Sequence, residues 1–267
     1  MDRMVRAYLI IISLVMGFLL IGFWYLPSVK LSNMGLPTNY ATQAYDDQQP
    51  EEFVSHDQYN RGLAQEEAEK LIALLYEGIN AFIISDTERE LFKQCKSEST
   101  YGEIVVGSLE QLVNIVQPTC DDVFYDLGSG KGQAPLYMAM RTPMRKCVGI
   151  ELAQTRHNYA LQAREKFYQH AATCDCIVEF YQGDFTDSTL NFDDATIVWM
   201  NSTCYPEEVM HKIVQRLSTL PSGLRVISLK ALPSPEKYHF KLAQQFTLPM
   251  TWSGSVNTHL YILEKSA

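Results

Sequence analysis

The sequence predicts an α/β fold. It reads as a seven-strand, Rossmann-like sheet with helices on both faces, preceded by a small N-terminal helical subdomain and an N-terminal transmembrane helix. Three observations carry this expectation. Short apolar runs alternate with helix-periodic stretches from Val123 to Leu229, the pattern of a parallel sheet. The first of these strands leads directly into a three-glycine turn with a helix behind it. Residues 7–26 are almost wholly apolar, long enough to cross a hydrocarbon core as a helix.

The elements follow in chain order. No charged residue occurs from Ala7 to Val29, and Trp24 and Tyr25 suit a membrane interface. The run is long and no small-residue cleavage site follows it, so residues 1–30 read as an uncleaved single-pass anchor rather than a signal peptide. Arg3 and Arg6 precede the span and Lys30 follows it. That small bias would send the following domain outward. A strand, glycine turn and helix such as residues 123–141 hold a nucleotide-like cofactor, whose cytosolic origin argues for a cytoplasmic domain, and we adopt this second expectation. Residues 31–60 are polar and linker-like. Residues 61–107 form the expected helical subdomain and a closing loop, with a helix over 64–84 carrying Leu71, Leu74, Leu75 and Ile79 on one side, and a second over 87–96. Residues 108–267 form the main domain. Its first helix is read over 108–116, with Ser108 as N-cap and Gln111 completing a capping box. Strands are expected at 123–126, 146–150, 177–181, 196–200 and 224–229, with helices over 134–141, 153–171 and 206–217 between them. Two late strands, near 246–252 and 258–264, have no long helix between them and predict an antiparallel pair at one edge. Together this is the seven-strand arrangement of class I methyltransferases.

The composition narrows the function. The chain has 267 residues, a formal net charge of −9 and no block of Lys and Arg. A nucleic-acid face built on a basic stripe is therefore not expected, whereas attraction to a basic protein is. Six cysteines are scattered with no C-x-x-C pair, and the six histidines show no ligand spacing. No metal is expected, and the thiols suit a reducing compartment.

The turn selects the cofactor. Asp126-Leu127-Gly128-Ser129-Gly130-Lys131-Gly132-Gln133 places an acid before G-x-G-x-G. A dinucleotide fingerprint would need its third glycine one residue later. A phosphate loop would need glycine where Tyr125 stands and Ser or Thr where Gly132 stands. The pattern fits S-adenosylmethionine, which has no pyrophosphate and presents a cationic amino-acid group to the acid. In an open parallel sheet the ligand lies beyond the carboxyl ends of the strands. Those ends carry Asp126, Glu151 for ribose hydroxyls, Asp184 for the adenine amine with Phe185 on the ring face, and Asn201 where methyl group and acceptor meet. Each also has a plain structural reading: Asp126 as a helix cap, Glu151 as an acid favoured by a helix dipole, Asp184 and Asn201 as turn residues.

From Tyr101 onward the sequence resembles the disruptor-of-telomeric-silencing family, the histone lysine methyltransferases that lack a SET domain. The specific segments are Tyr101-Gly102-Glu103, Asn201 after an apolar strand, and Trp252-Ser253-Gly254, in fitting order and spacing. The resemblance implies that Tyr101 and Glu103 close over the cofactor's methionine end and that Gln133 sits beside the same pocket. It implies that Asn201 positions the target amine, and that Trp252 and Tyr205 line a lysine channel. The chain departs from the family at Ile104, Ser202 and Thr203, and the family's aromatic channel pair falls on Thr258 and His259. The expectation is a membrane-anchored protein lysine N-methyltransferase whose acceptor is a lysine-containing protein other than a nucleosome. The alternatives are a methyltransferase for a membrane-embedded quinone or lipid, and a cofactor-binding scaffold without turnover.

Overall fold

The computed structural model describes residues 62–95, 98–171 and 174–265. The expected membrane span and polar linker lie outside the described residues. Among the described residues no helix is long and apolar enough to cross a membrane.

Three helices come first: α1 (Gln65–Leu75), α2 (Asp86–Gln94) and α3 (Val106–Val116). The sheet domain continues with β1 (Val123–Leu127), α4 (Gln133–Arg141), β2 (Lys146–Glu151), α5 (Gln154–His170), β3 (Ile177–Gln182), β4 (Ile197–Met200), α6 (Glu207–Leu217), β5 (Arg225–Ser228), β6 (Phe240–Met250) and β7 (Ser253–Leu263). The seven strands lie in the order β3-β2-β1-β4-β5-β7-β6. β1 to β5 are parallel, and β7 runs antiparallel between β5 and β6. This is the class I methyltransferase sheet, with the expected antiparallel pair at its edge.

β1 is buried along its whole length, as a central parallel strand with both faces covered should be. Phe124 enters the core shared with α1, α3, α4 and α5, while Tyr125 and Leu127 enter the core under α6. α6 presents Val209, Met210, Ile213, Val214 and Leu217 to that second core. Each fully buried aliphatic side chain of this kind contributes about 1.5–3 kcal/mol of transfer free energy.

Four local expectations are corrected. α1 ends at Leu75, not near Ile84, because the chain turns at Gly78 with φ +74°. Its buried face is Ala68, Ile72 and Leu75, and Leu74 is 46% exposed. An apolar run with three leucines and an isoleucine at helical spacing overstates how many can face one core. α3 begins at Val106 with Val105 as N-cap and no side-chain cap. Ser108 instead donates its hydroxyl to the Pro249 carbonyl at 2.9 Å, which ties α3 to β6. β6 and β7 are 11 residues each, longer than expected. The stretch from Lys241 to Gln245 is exposed, so it carries no alternating pattern, and pairing with β7 alone makes it a strand.

α2 does carry a capping box, formed by Ser85 and Glu88. The Glu88 carboxylate also accepts the Thr155 N–H at 2.6 Å and the Thr155 hydroxyl at 2.8 Å. Burial pushes this group up, but the Thr155 and Ser85 donors win and hold it at about 2. One carboxylate thus caps two helices and fixes α2 against the start of α5.

Candidate active site

The register of the central strands builds the site. Leu127 lies beside Ile150 of β2 on one side and Met200 of β4 on the other. The residues that follow, Gly128, Glu151 and Asn201, therefore emerge together at the carboxyl edge. This is also where the strand order reverses, the place where open α/β sheets bind ligands. Tyr101, Gly128, Glu151, Asp184, Phe185 and Asn201 line one open cleft, together with the half-exposed Trp252. Asp126, Glu103 and Gln133 line a smaller recess that adjoins it at Tyr101, Gly128 and Asn201.

The glycine turn is shaped by close approach. Gly128 has φ +87°, and a Cβ there would overlap the Tyr205 hydroxyl. Gly130 has φ +55°, and a Cβ there would lie 2.5 Å from the Tyr101 ring. Tyr101 lies directly on the turn, so Gly130→Ala should push the ring off and strain the backbone. The expected result is about a tenfold or larger loss of S-adenosylmethionine affinity in calorimetry, with the fold retained by circular dichroism.

Two acids dominate the electrostatics. Asp126 and Glu151 are each 4% exposed. Glu151 accepts the Gly130 N–H at 2.8 Å and the Ala153 N–H at 2.9 Å. Burial raises its carboxyl pKa, and Arg156 and the two N–H donors oppose that rise. Asp126 has no such help. Its Oδ1 is buried without a hydrogen-bond partner, and burial, followed by the neighbouring Glu151, raises its carboxyl pKa well above the usual range.

A short segment, 101–104, closes one side. The Tyr101 hydroxyl donates to Glu103 at 2.5 Å and accepts the Lys131 N–H at 3.3 Å. Lys131 Nζ lies 2.9 Å from the second Glu103 oxygen. Gln133 donates its amide to the Ile104 carbonyl at 2.9 Å, and Asn201 donates its amide to the Gly102 carbonyl at 2.8 Å. The segment is also stitched to the β6–β7 hairpin. Glu103 N–H donates to the Thr251 hydroxyl at 3.0 Å, Thr251 N–H donates to the Glu103 carbonyl at 2.9 Å, and Ile104 bridges Met250. The Trp252 indole lies on Gly102, where a Cβ would overlap it. Trp252 is 44% exposed, which excludes plain core packing for this side chain.

The other residues singled out in the sequence fall as follows. Asp184 accepts the Thr186 N–H at 2.8 Å and also faces the Cys95 thiol, whose pKa is raised by burial and then by Asp184. Phe185 lies 5.2 Å from the Tyr205 ring. Tyr205 is buried under the turn, with its hydroxyl donating to the Leu127 carbonyl at 2.5 Å, so it forms the cleft floor beside Gly128 rather than the rim. Ser202 is fully buried, 2.8 Å from the Ser228 hydroxyl, and accepts the Lys230 N–H at 2.8 Å. It joins the ends of β4 and β5. Thr258 is fully buried in β7, with its hydroxyl donating to the Val256 carbonyl, and His259 pairs in register with Ser228. Neither lines the cleft.

Sequence reasoning missed Arg156 and Lys131. Arg156 is 3% exposed and reaches the carbonyls of Ala81 and Ser99 at 3.1 and 3.0 Å. A signal was present: a cation in the first turn of α5 opposes the helix dipole and needs a tertiary reason.

The residues present fit S-adenosylmethionine. Two buried acids, one of them unpartnered, suit a cationic ligand. Ser129 Oγ is a second buried and unpartnered polar atom in the turn, the glycine backbone permits close approach, and Phe185 offers a ring face. Among the described residues no group of His, Cys, Asp and Glu is arranged to hold a metal ion.

A family model described as "Histone methylation protein DOT1" matches residues 82–248. The chain is similar to a protein of Drosophila melanogaster named histone-lysine N-methyltransferase, H3 lysine-79 specific. The two are 33% identical over 140 residues, which is 51% of this chain and 8% of the relative. A protein of the same name from Caenorhabditis elegans is 33% identical over 153 residues, 55% of this chain and 16% of the relative. The chain thus spans a small part of the curated relatives it matches. Among solved structures, geranyl diphosphate C-methyltransferase from Streptomyces coelicolor A3(2) is 12% identical with a TM-score of 0.49, covering 67% of this chain and 99% of that one. Likeness at that level says nothing about substrate.

Proposed function

Since the chain belongs to the family of the histone methylation protein DOT1, we propose that it is an S-adenosylmethionine-dependent methyltransferase that modifies a lysine side chain of a protein. The observation that carries this reading is the meeting of Gly128, Glu151, Asp184 and Asn201 in one cleft, within the matched segment and beside the buried Asp126.

When bound, S-adenosylmethionine supplies a methyl group already activated by a cationic sulfonium. The chain's own residues bind, orient and exclude water. Asp126 serves the cationic amino-acid end, Glu151 the ribose hydroxyls, and Asp184 with Phe185 the adenine. Tyr101 and Glu103, held by Lys131, keep water from the turn. Asn201 fixes the closing segment through its amide nitrogen, and its side-chain oxygen is the acceptor available to an amine. A lysine ammonium must lose its proton before it can react. Phe92, Val209, Tyr205 and Trp252 make the cleft walls largely apolar, which favours the neutral amine by desolvation. No strong base is needed.

The relatives are named for lysine 79 of histone H3. For this chain we take the acceptor to be a basic, lysine-rich protein approached through the net charge of −9 rather than a nucleosome gripped through its DNA. The uncharged apolar run over 7–26 supports a membrane tether, and dependence on a cofactor made in the cytosol argues for a cytoplasmic catalytic domain.

The test is transfer of labelled methyl from S-adenosylmethionine by the full chain, offered core histones and total lysine-rich protein. The expected result is methyl-lysine after acid hydrolysis. Label in the organic phase assigns a membrane-embedded small molecule instead. Cofactor binding without turnover on any acceptor assigns a scaffold.

A further inference from the structure

We propose that Arg156 is a positioning residue that couples cofactor binding to closure of the segment 98–104 over the glycine turn. The inference rests on the cofactor reading above and concerns a side chain that reading does not use.

The guanidinium makes four different contacts. Nε donates to the Ala81 carbonyl at 3.1 Å, in the loop between α1 and α2. A terminal nitrogen donates to the Ser99 carbonyl at 3.0 Å, two residues before Tyr101. The guanidinium carbon lies over the Tyr101 ring, 4.2 Å from its centroid, and that ring itself covers Gly130. The other terminal nitrogen is 4.0 Å from Glu151 Oε1. One buried cation therefore touches the backbone that leads into the closing segment, the ring that closes, and the carboxylate that faces the cleft.

Chemistry and placement argue that this is more than a packing contact. A buried cation in the first turn of a helix is opposed both by desolvation and by the dipole. Lysine, a point charge, cannot serve two carbonyls in different directions and also stack on a ring. The planar fork of arginine can do all three. The position is set independently by its neighbour. Thr155 is locked to Glu88 of α2 through both its N–H and its hydroxyl, which fixes the direction in which Arg156 leaves the helix. Phe92 of α2 lies 5.7 Å below the guanidinium and completes its apolar enclosure. Without this group, Tyr101 keeps its hydrogen bonds to Glu103 and Lys131 but loses the cation beneath its ring and the tether at Ser99. The segment then closes less often, and Glu151 loses the cationic neighbour that Arg156 provides at the cleft.

The test uses the full chain, with S-adenosylmethionine titrated by calorimetry and amide hydrogen exchange followed over 98–104. In the wild type, cofactor should slow exchange in this segment. Arg156→Ala should weaken binding by about tenfold to a hundredfold and abolish the slowing even at saturating cofactor. Guanidinium ion at a non-denaturing concentration should restore part of both effects by entering the space left behind, a rescue that a merely structural loss would not show. Arg156→Lys should fold and give an intermediate affinity with fast exchange, so the proposal remains testable if the alanine variant does not fold. Wild-type affinity with full protection in either variant overturns the proposal. Failure of the wild type itself to bind S-adenosylmethionine would sink the cofactor reading, a separate outcome from failure of the role given to Arg156.

Discussion

Asp126→Asn should make the protein without cofactor more stable at neutral pH and strongly weaken its hold on S-adenosylmethionine. The native carboxyl is 4% exposed, has an oxygen with no hydrogen-bond partner, and faces Glu151. Burial first, and Glu151 second, raise its pKa well above the ordinary value of about 3.9. The sign of the linkage follows. Between the unfolded value and the raised folded value, the folded state binds more protons than the unfolded one. Stability therefore falls as pH rises through that window. Asparagine removes the charge while keeping the shape, so this downward slope should vanish and stability at neutral pH should rise by about 1 kcal/mol or more. Denaturant unfolding at several pH values measures it. Affinity for the cationic cofactor should fall about a hundredfold, the usual scale for removing one charge of a buried charge pair. In the wild type, affinity should weaken as pH is lowered through the raised carboxyl pKa. An asparagine variant that binds as tightly as wild type would show that Asp126 has no ligand-facing role.

Glu151→Ala should lose binding as well, but with the opposite effect on stability. This carboxylate accepts buried N–H groups from Gly130 and Ala153. Alanine leaves both donors unpaired, at about 1–3 kcal/mol each, and loosens the turn from β2. Thermal unfolding should shift down, and cofactor affinity should fall by about a hundredfold or more. Glu151→Gln keeps an acceptor for one N–H and should recover part of the stability without recovering the affinity. The pair of variants separates two roles that burial alone does not distinguish. If both acids were only structural, both would destabilise the fold when replaced. Wild-type affinity in Glu151→Ala would remove this residue from the site.

The departures from the family pattern also take a different meaning in three dimensions. Ser202 is a departure from the family pattern in the sequence, and in the structure it is a buried link between Ser228 and Lys230. Thr258 and His259 lie within β7, away from the cleft. The rim instead carries Trp252, Thr203 and Cys204.

The local sequence determined the parallel core, the glycine turn and the acids at the strand ends. Each of these features is written within a short stretch of sequence. Apolar runs of strand length, a helix period between them and a G-x-G-x-G turn are short-range patterns, and the register of adjacent parallel strands then brings their ends together. Only the tertiary structure decided how the site is closed. Asn201 reaches Gly102 across 99 residues, and Glu103 reaches Thr251 across 148. Contacts at such separations leave no period or spacing in the sequence. Arg156 leaves only a local hint, a cation in the first turn of α5, and its partners Ala81, Ser99 and Tyr101 are fixed by the fold alone. The same holds for Asp126, which is an ordinary acid in the sequence and becomes an unpaired one only when α4 and the turn remove it from water.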